Sequence, residues 1–456
     1  MSAQRFDFVI IGAGAAGEAA AHYARGRGAS VAIIERDLFG GSCAYWACMP
    51  SKTLLHCAEV RAHGGDYPWP KASARRDYMI NRIDRDYPDD SSHVKRLESA
   101  GATTIRGVAR LAGPHRVEVR RERQVRAVEA NNVVIAVGSV GKVPEIEGMS
   151  AAGYWTNVEA TALRELPRSV VIFGAGPSGV EIAQYLSRYG VRTTILAPRM
   201  VNPTDHPKSS ATIAEALRRD GVDVRQNVRA VRVHPRGGTA GEHLVELSDG
   251  SSVSAEVLQL SVGRTSASAL AGLGLDTIGV AYDGADALQP DEHLRIADGT
   301  YVIGDVMDRE LSTHLGHYEG EMAVRVALGE DVRVDLSAVP RAVYTEPETA
   351  AVGVRLDQAR DKGLDAFEET TDFATSTKGY IVEADLGHAS IVVDRSAKTL
   401  LGAFIAGAGA SEAIHVAVLA LKLRTPIDTL AQTIHAFPTT ARELGGLFAS
   451  AATKLR

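Results

Sequence analysis

The sequence predicts an α/β fold: two βαβ units built on parallel sheets, followed by a C-terminal α+β domain. Three observations predict it. A strand–glycine turn–helix–strand pattern occurs twice, at 6–35 and at 169–197. Gly12, Gly14 and Gly17 of the first copy match Gly174, Gly176 and Gly179 of the second at one constant offset, and Gly28 matches Gly190. From about residue 335 the glycine fingerprint is gone, and strands mix with amphipathic helices. The 456 residues have room for about three domains of ~150 residues.

The first copy opens on the apolar strand Phe8-Val9-Ile10-Ile11, which runs straight into its glycines. The first glycine permits the tight turn, the second lets backbone approach a pyrophosphate, and the third lets helix pack on strand. The pyrophosphate then rests on a helix N-terminus, where free N–H groups and the dipole favour an anion. One GxGxxG is a weak signal; two in register, each between a Val/Ile strand and a helix, are strong. Both units are therefore read as Rossmann-like dinucleotide-binding domains. Their binding glycines are Gly12, Gly14 and Gly17 in one, and Gly174, Gly176 and Gly179 in the other.

Next comes Gly40-Gly41-Ser42-Cys43-Ala44-Tyr45-Trp46-Ala47-Cys48-Met49-Pro50-Ser51-Lys52. Only three cysteines occur in the chain, and two stand here, with four residues between them. Cys48 falls near the start of a helix expected to run through Lys52 and Leu55. A helix N-terminus and a nearby cation both lower a thiol pKa. The pair reads as redox-active. Cys57, about half a helical turn away from Cys48, reads as a packed thiol.

Residues 106–140 read as an antiparallel excursion, with strands at Val117-Glu118-Val119 and Val133-Val134-Ile135 around the basic run 120–126. That run is read as a solvated hairpin face. A second β excursion is expected over 227–263, with turns at Gly237-Gly238 and Asp249-Gly250. Residues 300–305 read as a buried strand ending in an acid, Asp305.

Composition sets outer limits. A formal net charge of −6 gives no electrostatic case for nucleic acid or an anionic membrane. No apolar run reaches the ~18 residues of a bilayer span. The first strand lacks the basic leader of a signal peptide. The chain reads as cytoplasmic, where a disulfide is usually catalytic rather than structural.

Glu35 ends the second strand of the first unit, where an acid hydrogen-bonds unphosphorylated ribose. FAD meets that requirement. The matching position of the second unit is Ala197, followed by Pro198 and Arg199, with Arg192 at the start of the strand. Loss of the acid and a nearby Arg suit a 2′-phosphate. The second nucleotide is read as NADPH, with NADH as the alternative.

Together these motifs resemble the pyridine nucleotide–disulfide oxidoreductases, a family that includes dihydrolipoamide dehydrogenase, glutathione reductase and mercuric reductase. The resemblance covers nearly the whole chain. It rests on residues 12–17, Glu35, 43–52, Val137-Gly138-Ser139, 174–181, Gly263-Arg264, Gly304-Asp305, His317 and Pro438-Thr439. It implies an FAD domain at 1–142 and 264–334, an NAD(P)H domain at 143–263 and a dimerisation domain at 335–456. It implies a homodimer whose active site borrows the partner's C-terminal segment. Cys48 would lie next to the flavin and Cys43 would be the interchange thiol. Lys52 would lie near flavin N5 and pair with Glu181. Gly41, Ser42, Ala109, Val137, Gly138, Ser139, Gly304 and Asp305 would also line the FAD site, with His317 on a helix beneath the flavin. Ser178, Glu181, Arg199 and Gly263 would join the glycines at the NAD(P) site. The resemblance places His314-Leu315-Gly316-His317 against flavin, so no metal site is assigned.

One departure stands out. The family's C-terminal segment carries a proton-shuttling His and, five residues on, a Glu. Here those positions hold Phe437 and Arg442. Phe moves no proton and Arg is no base. His435 is a candidate substitute, but two residues of extended chain separate positions by ~6.6 Å. No cysteine follows Cys57, so the extra C-terminal cysteines of mercuric reductases are absent too. The reading is an NADPH oxidoreductase that uses FAD and the Cys43–Cys48 disulfide, with a disulfide or thiol acceptor. The alternatives are a quinone, metal-ion or dye reductase and, from another class, a redox-vestigial flavin-binding dimer or sensor.

Overall fold

A computed structural model describes residues 4–237, 241–284 and 287–456. The chain divides into two compact units. The first comprises Met1–Thr53, Ser73–Lys142 and Gly263–Val334; the second comprises Leu54–Ala72, Val143–Val262 and Asp335–Arg456.

In the first unit, strands Thr300–Val302, Gln124–Ile135, Gln4–Ile11, Val31–Glu35 and Thr103–Arg106 lie side by side in that order, all parallel, with Arg295–Ala297 antiparallel at one edge. Continuous apolar runs make these strands, because a sheet covered on both faces buries every side chain. Phe8, Val9, Ile10, Ile33 and Val134 are all fully buried. Ile11, Ile34 and Ile135 stand in register, so their strands end together at one edge. Ligands of open α/β sheets bind at that carboxyl edge. The helix Ala15–Gly26 packs on Thr313–Ala327 through its small residues. A Cβ added at Gly320 would stand 2.7 Å from the Ala16 carbonyl oxygen, so no larger residue permits this approach.

The excursion near residue 120 differs from the sequence expectation. Gln124–Ile135 is one twelve-residue strand. Its first half pairs antiparallel with Arg116–Arg121, while its second half enters the parallel sheet beside Gln4–Ile11. Val133–Ile135 therefore belongs to the central sheet, not to the hairpin. Arg120, Arg121 and Arg123 are exposed around the turn.

In the second unit, Asp223–Gln226, Arg192–Ala197, Ser169–Phe173 and Val257–Leu260 form a four-stranded parallel sheet. Ala230–His234, His243–Leu247 and Ser252–Ala255 form a three-stranded antiparallel sheet, the excursion expected over 227–263. Gly250 turns with φ +83; Gly238 of the other expected turn lies outside the described residues. A five-stranded antiparallel sheet orders Pro340–Val343, Thr349–Gly353, Thr399–Ala406, His388–Asp394 and Ala366–Asp372. The helices Ala410–Lys422 and Thr440–Lys454 pack on it through Ile414, Ala417, Leu444 and Phe448. Among the described residues no helix is long and apolar enough to cross a membrane.

Candidate active site

The two cysteines are delivered by consecutive helices. Gly40 N–H donates to the Ala13 carbonyl at 2.8 Å, which lays the loop on the first glycine turn. Gly41 then takes φ +64 so close to Gly14 that a Cβ would collide with its Cα. Glycine is needed there on both counts. The short helix Gly41–Tyr45 carries Cys43, the backbone breaks at Trp46, and the helix Cys48–Ala62 begins at the second cysteine. Both residues are free thiols and partly exposed.

Their sulfurs meet at Thr313, the first residue of Thr313–Ala327. Thr313 Oγ1 donates to Cys43 Sγ at 3.1 Å and lies 3.5 Å from Cys48 Sγ. The Cys43 pKa is held well above the ordinary thiol value. The main cause is its hydrogen bond to Cys48, followed by burial and the charge of Cys48. The Thr313 hydrogen bond and the Lys52 ammonium pull the other way. Two sulfurs in one site oppose each other's ionisation, so near neutrality at least one of them keeps its proton. Cys57 is fully buried among Leu54, Leu55, Ala58 and Tyr185 in the second unit.

The first glycine turn forms a cradle for backbone contact. A Cβ at Gly12 would run into the Ala136 carbonyl, and one at Gly17 into the Gly12 carbonyl. Gly12, Glu35, Ala109 and Val137 line one cavity of about 100 Å³. The partly buried Glu35 carboxylate accepts from Ala13 N and Asp37 N, both at 2.8 Å. Burial raises its pKa and these two bonds lower it. Each oxygen keeps a lone pair for a further donor such as a ribose hydroxyl. Ser139 Oγ donates to Asp305 Oδ2 at 2.8 Å, and Arg264 Nε donates to Ser139 Oγ at 2.7 Å. The buried Glu319 accepts from Gly304 N at 2.8 Å through Oε2, while its Oε1 is sealed from solvent with no hydrogen-bond donor. Burial pushes the Glu319 carboxyl up to about 7. His314 and His317 are exposed on the Thr313–Ala327 helix.

The second unit repeats the turn. A Cβ at Gly174 would run into the Ser261 carbonyl, and one at Gly179 into the Gly174 carbonyl. Gly176 caps the helix Pro177–Arg188, which begins with Pro177 and Ser178. Arg199 is exposed just beyond Ala197, on the same sheet edge as the turn. Arg192 does not share that edge. It stands opposite Ser169 at the start of the strands and forks onto Glu242 at 2.7 and 2.9 Å. It is engaged by Glu242, at the opposite end of the strand from Ala197. Glu181 is buried and its Oε1 accepts from Tyr344 N at 3.1 Å. Glu59, His63 and Glu346 also gather within 4.8 Å. Arg188 already pairs with Glu346 at 2.6 Å, so the group is a surface ion-pair network.

The C-terminal segment shows what occupies the shuttle positions. His435 Nδ1 donates to its neighbour Thr433's carbonyl at 3.0 Å, and its Nε2 is sealed from solvent. The ring sits where a Cβ on Gly445 would be. Phe437 is 71% exposed, and Arg442 is exposed beside it in sequence. Sequence reasoning missed Thr313 and Glu319. Their only signal was their place at and beyond the N-terminus of the helix following Gly304-Asp305.

The family model for the pyridine nucleotide-disulphide oxidoreductases matches residues 6–330, and the model for their dimerisation domain matches residues 339–447. The chain belongs to this family. It is 30% identical to a dihydrolipoyl dehydrogenase of Chlorobaculum tepidum, over 96% of this chain and 95% of the relative. It is 29% identical to a mercuric reductase of Streptomyces lividans, over 96% and 94%. The Cu(II) complex of the HOCl-induced flavoprotein disulfide reductase RclA from Escherichia coli has a similar structure. Its TM-score is 0.86 at 25% identity, covering 99% of this chain and 100% of that one. The chain is thus a flavin-dependent pyridine nucleotide–disulfide oxidoreductase that uses FAD and a pyridine nucleotide. Its fold is two Rossmann-like units plus a dimerisation domain, and that domain supports a homodimer.

Proposed function

We propose that this enzyme passes electrons from NADPH to a thiophilic metal ion such as Cu(II), using Cys43 and Cys48 as the outlet. The carrying observation is that the two sulfurs converge on one hydroxyl, while Phe437 and Arg442 stand at the family's shuttle positions. A disulfide acceptor needs an acid to protonate its leaving thiolate, a contribution of ~10²–10⁴-fold. A metal ion takes electrons alone. Two thiolates each reduce one Cu(II) to Cu(I) and close the disulfide, and their protons pass to water. NADPH restores the dithiol, so one NADPH serves two Cu(II) ions and one H⁺ is released. Soft thiolates suit such ions. The RclA complex with Cu(II) and the mercuric reductase relatives support this reading.

The pocket residues fit FAD. The cradle at Gly12, Gly14 and Gly41 admits a diphosphate only because it lacks Cβ atoms, and Glu35 suits adenosine ribose. FAD, when bound, supplies two-electron transfer between nicotinamide and disulfide. In this reading Ser42, Ala109, Val137, Gly138, Ser139, Gly304, Asp305 and His317 complete its site. Lys52 stands beside the flavin, Cys48 takes the flavin side and Cys43 the acceptor side. Gly174, Gly176, Ser178, Gly179, Arg199 and Gly263 hold NADPH, the exposed Arg199 meeting the 2′-phosphate. The domains run 1–142 with 264–334, 143–263, and 335–456, and the dimer shares its active site. His435, pinned to its own segment, has a structural role.

A second reading, a small disulfide or thiol acceptor, is favoured by the dihydrolipoyl dehydrogenase relatives. Anaerobic NADPH oxidation separates the two. With Cu(II) and a Cu(I) chelator, turnover is expected that Cys43→Ser and Cys48→Ser each abolish. Faster turnover with oxidised lipoamide than with Cu(II) would replace the first reading by the second. Quinone turnover that persists in Cys43→Ser would overturn both.

A further inference from the structure

One hydroxyl touches both reacting sulfurs. Thr313 Oγ1 donates to Cys43 Sγ at 3.1 Å and is 3.5 Å from Cys48 Sγ, within the longer range of sulfur hydrogen bonds. A hydroxyl has one proton to donate and two lone pairs with which to accept. It can therefore donate to one sulfur while accepting the S–H of the other. Rotation about Cβ–Oγ1 exchanges the roles. Adjacent charges oppose each other, so once the reduced pair gives up one proton the other is held, leaving one thiol and one thiolate.

We propose that Thr313 is a catalytic residue that relays the single proton of the reduced dithiol between Cys48 and Cys43. In the relay, Cys48 S–H gives its proton to Thr313 Oγ1 as the Thr313 O–H gives its proton to the Cys43 thiolate. One S–H bond breaks, another forms, and the negative charge moves to Cys48; the reverse step returns it to Cys43. No electrons leave the pair. The relay puts charge on whichever sulfur the next step requires. It acts within one chain. This deepens the proposed function and rests on it.

The geometry agrees with the charge balance at Cys43. Cys48 opposes its ionisation, whereas the Thr313 hydrogen bond and the Lys52 ammonium favour it. Beside the direct hydrogen bond between the two cysteines, the Thr313 hydroxyl acts on Cys43 and also reaches Cys48.

The test compares wild type with Thr313→Val, which keeps the shape, and Thr313→Ser, which keeps the hydroxyl. Holoenzyme is reduced anaerobically with NADPH and quenched with iodoacetamide across the neutral-to-alkaline range. Peptide mass spectrometry then gives the alkylation rate at Cys43 and at Cys48 separately. Thr313→Val is expected to move the Cys43 midpoint up by about one pH unit, making neutral-pH alkylation about tenfold slower. Thr313→Ser is expected to restore the wild-type midpoint. Wild-type midpoints at both cysteines in Thr313→Val would overturn the relay. If the valine variant does not fold, Thr313→Ala carries the same two outcomes. If NADPH leaves wild-type Cys43 and Cys48 unreduced, the proposed function fails instead. The dithiothreitol-reduced protein then tests the relay by the same two midpoints.

Discussion

Glu319 ties stability to pH in a way that can be worked from the structure. It is 1% exposed, its Oε2 accepts from Gly304 N, and its Oε1 has no hydrogen-bond donor. Burial therefore favours the neutral acid and lifts its pKa from 4.5 to about 7; the Gly304 bond and Arg309 oppose this, and Asp305 adds to it. Below pH 4.5 folded and unfolded chains both hold the proton, and the contribution is fully present. Between pH 4.5 and about 7 the unfolded chain releases it first, so stability falls by ~1.4 kcal/mol per pH unit. Above about pH 7 the loss is complete, on the order of 3 kcal/mol. Glu319→Gln keeps an oxygen for Gly304 N–H and cannot ionise. The assay is urea unfolding at both ends of this range, followed by Trp46 in a Trp69→Phe, Trp155→Phe background so that the first unit alone reports. Wild type should lose on the order of 3 kcal/mol more than Glu319→Gln between the two pH values. Equal pH slopes would refute the buried-acid argument.

Further outcomes follow from the same geometry. Arg199→Ala should raise the KM for NADPH about tenfold with little change for NADH, whereas Arg192→Ala, already engaged by Glu242, should leave both constants alone; steady-state kinetics with each nucleotide checks the pair. Gly17→Val should abolish FAD retention, measured as the flavin-to-protein absorbance ratio, because its side chain would fill the Gly12 carbonyl's place. The double substitution Phe437→His, Arg442→Glu should raise turnover of oxidised lipoamide by at least about tenfold and leave Cu(II) turnover unchanged, as read by anaerobic NADPH oxidation.

The sequence made legible whatever a short stretch of backbone decides. Gly12 with Gly17, and Gly174 with Gly179, are required by turns only a few residues long, so their spacing alone revealed them. Cys43 and Cys48 are close in sequence and close in space. Other features depend on partners far along the chain. Thr313 reaches the cysteines across 270 and 265 residues, and no local pattern marks it. Arg192 looked available for a phosphate until Glu242, 50 residues away, was found on it. The alternating run of Gln124–Ile135 matches a hairpin strand and a sheet strand equally well, and the structure uses it as both.

The central claim is that NADPH reduces a Cys43–Cys48 disulfide. The most direct measurement is the number of alkylatable thiols at these two positions before and after one equivalent of NADPH, added anaerobically to the air-oxidised holoenzyme. The account predicts none before and both after, with Cys57 unreactive throughout while folded. Two reactive thiols before NADPH, or none after it has been consumed, would contradict it.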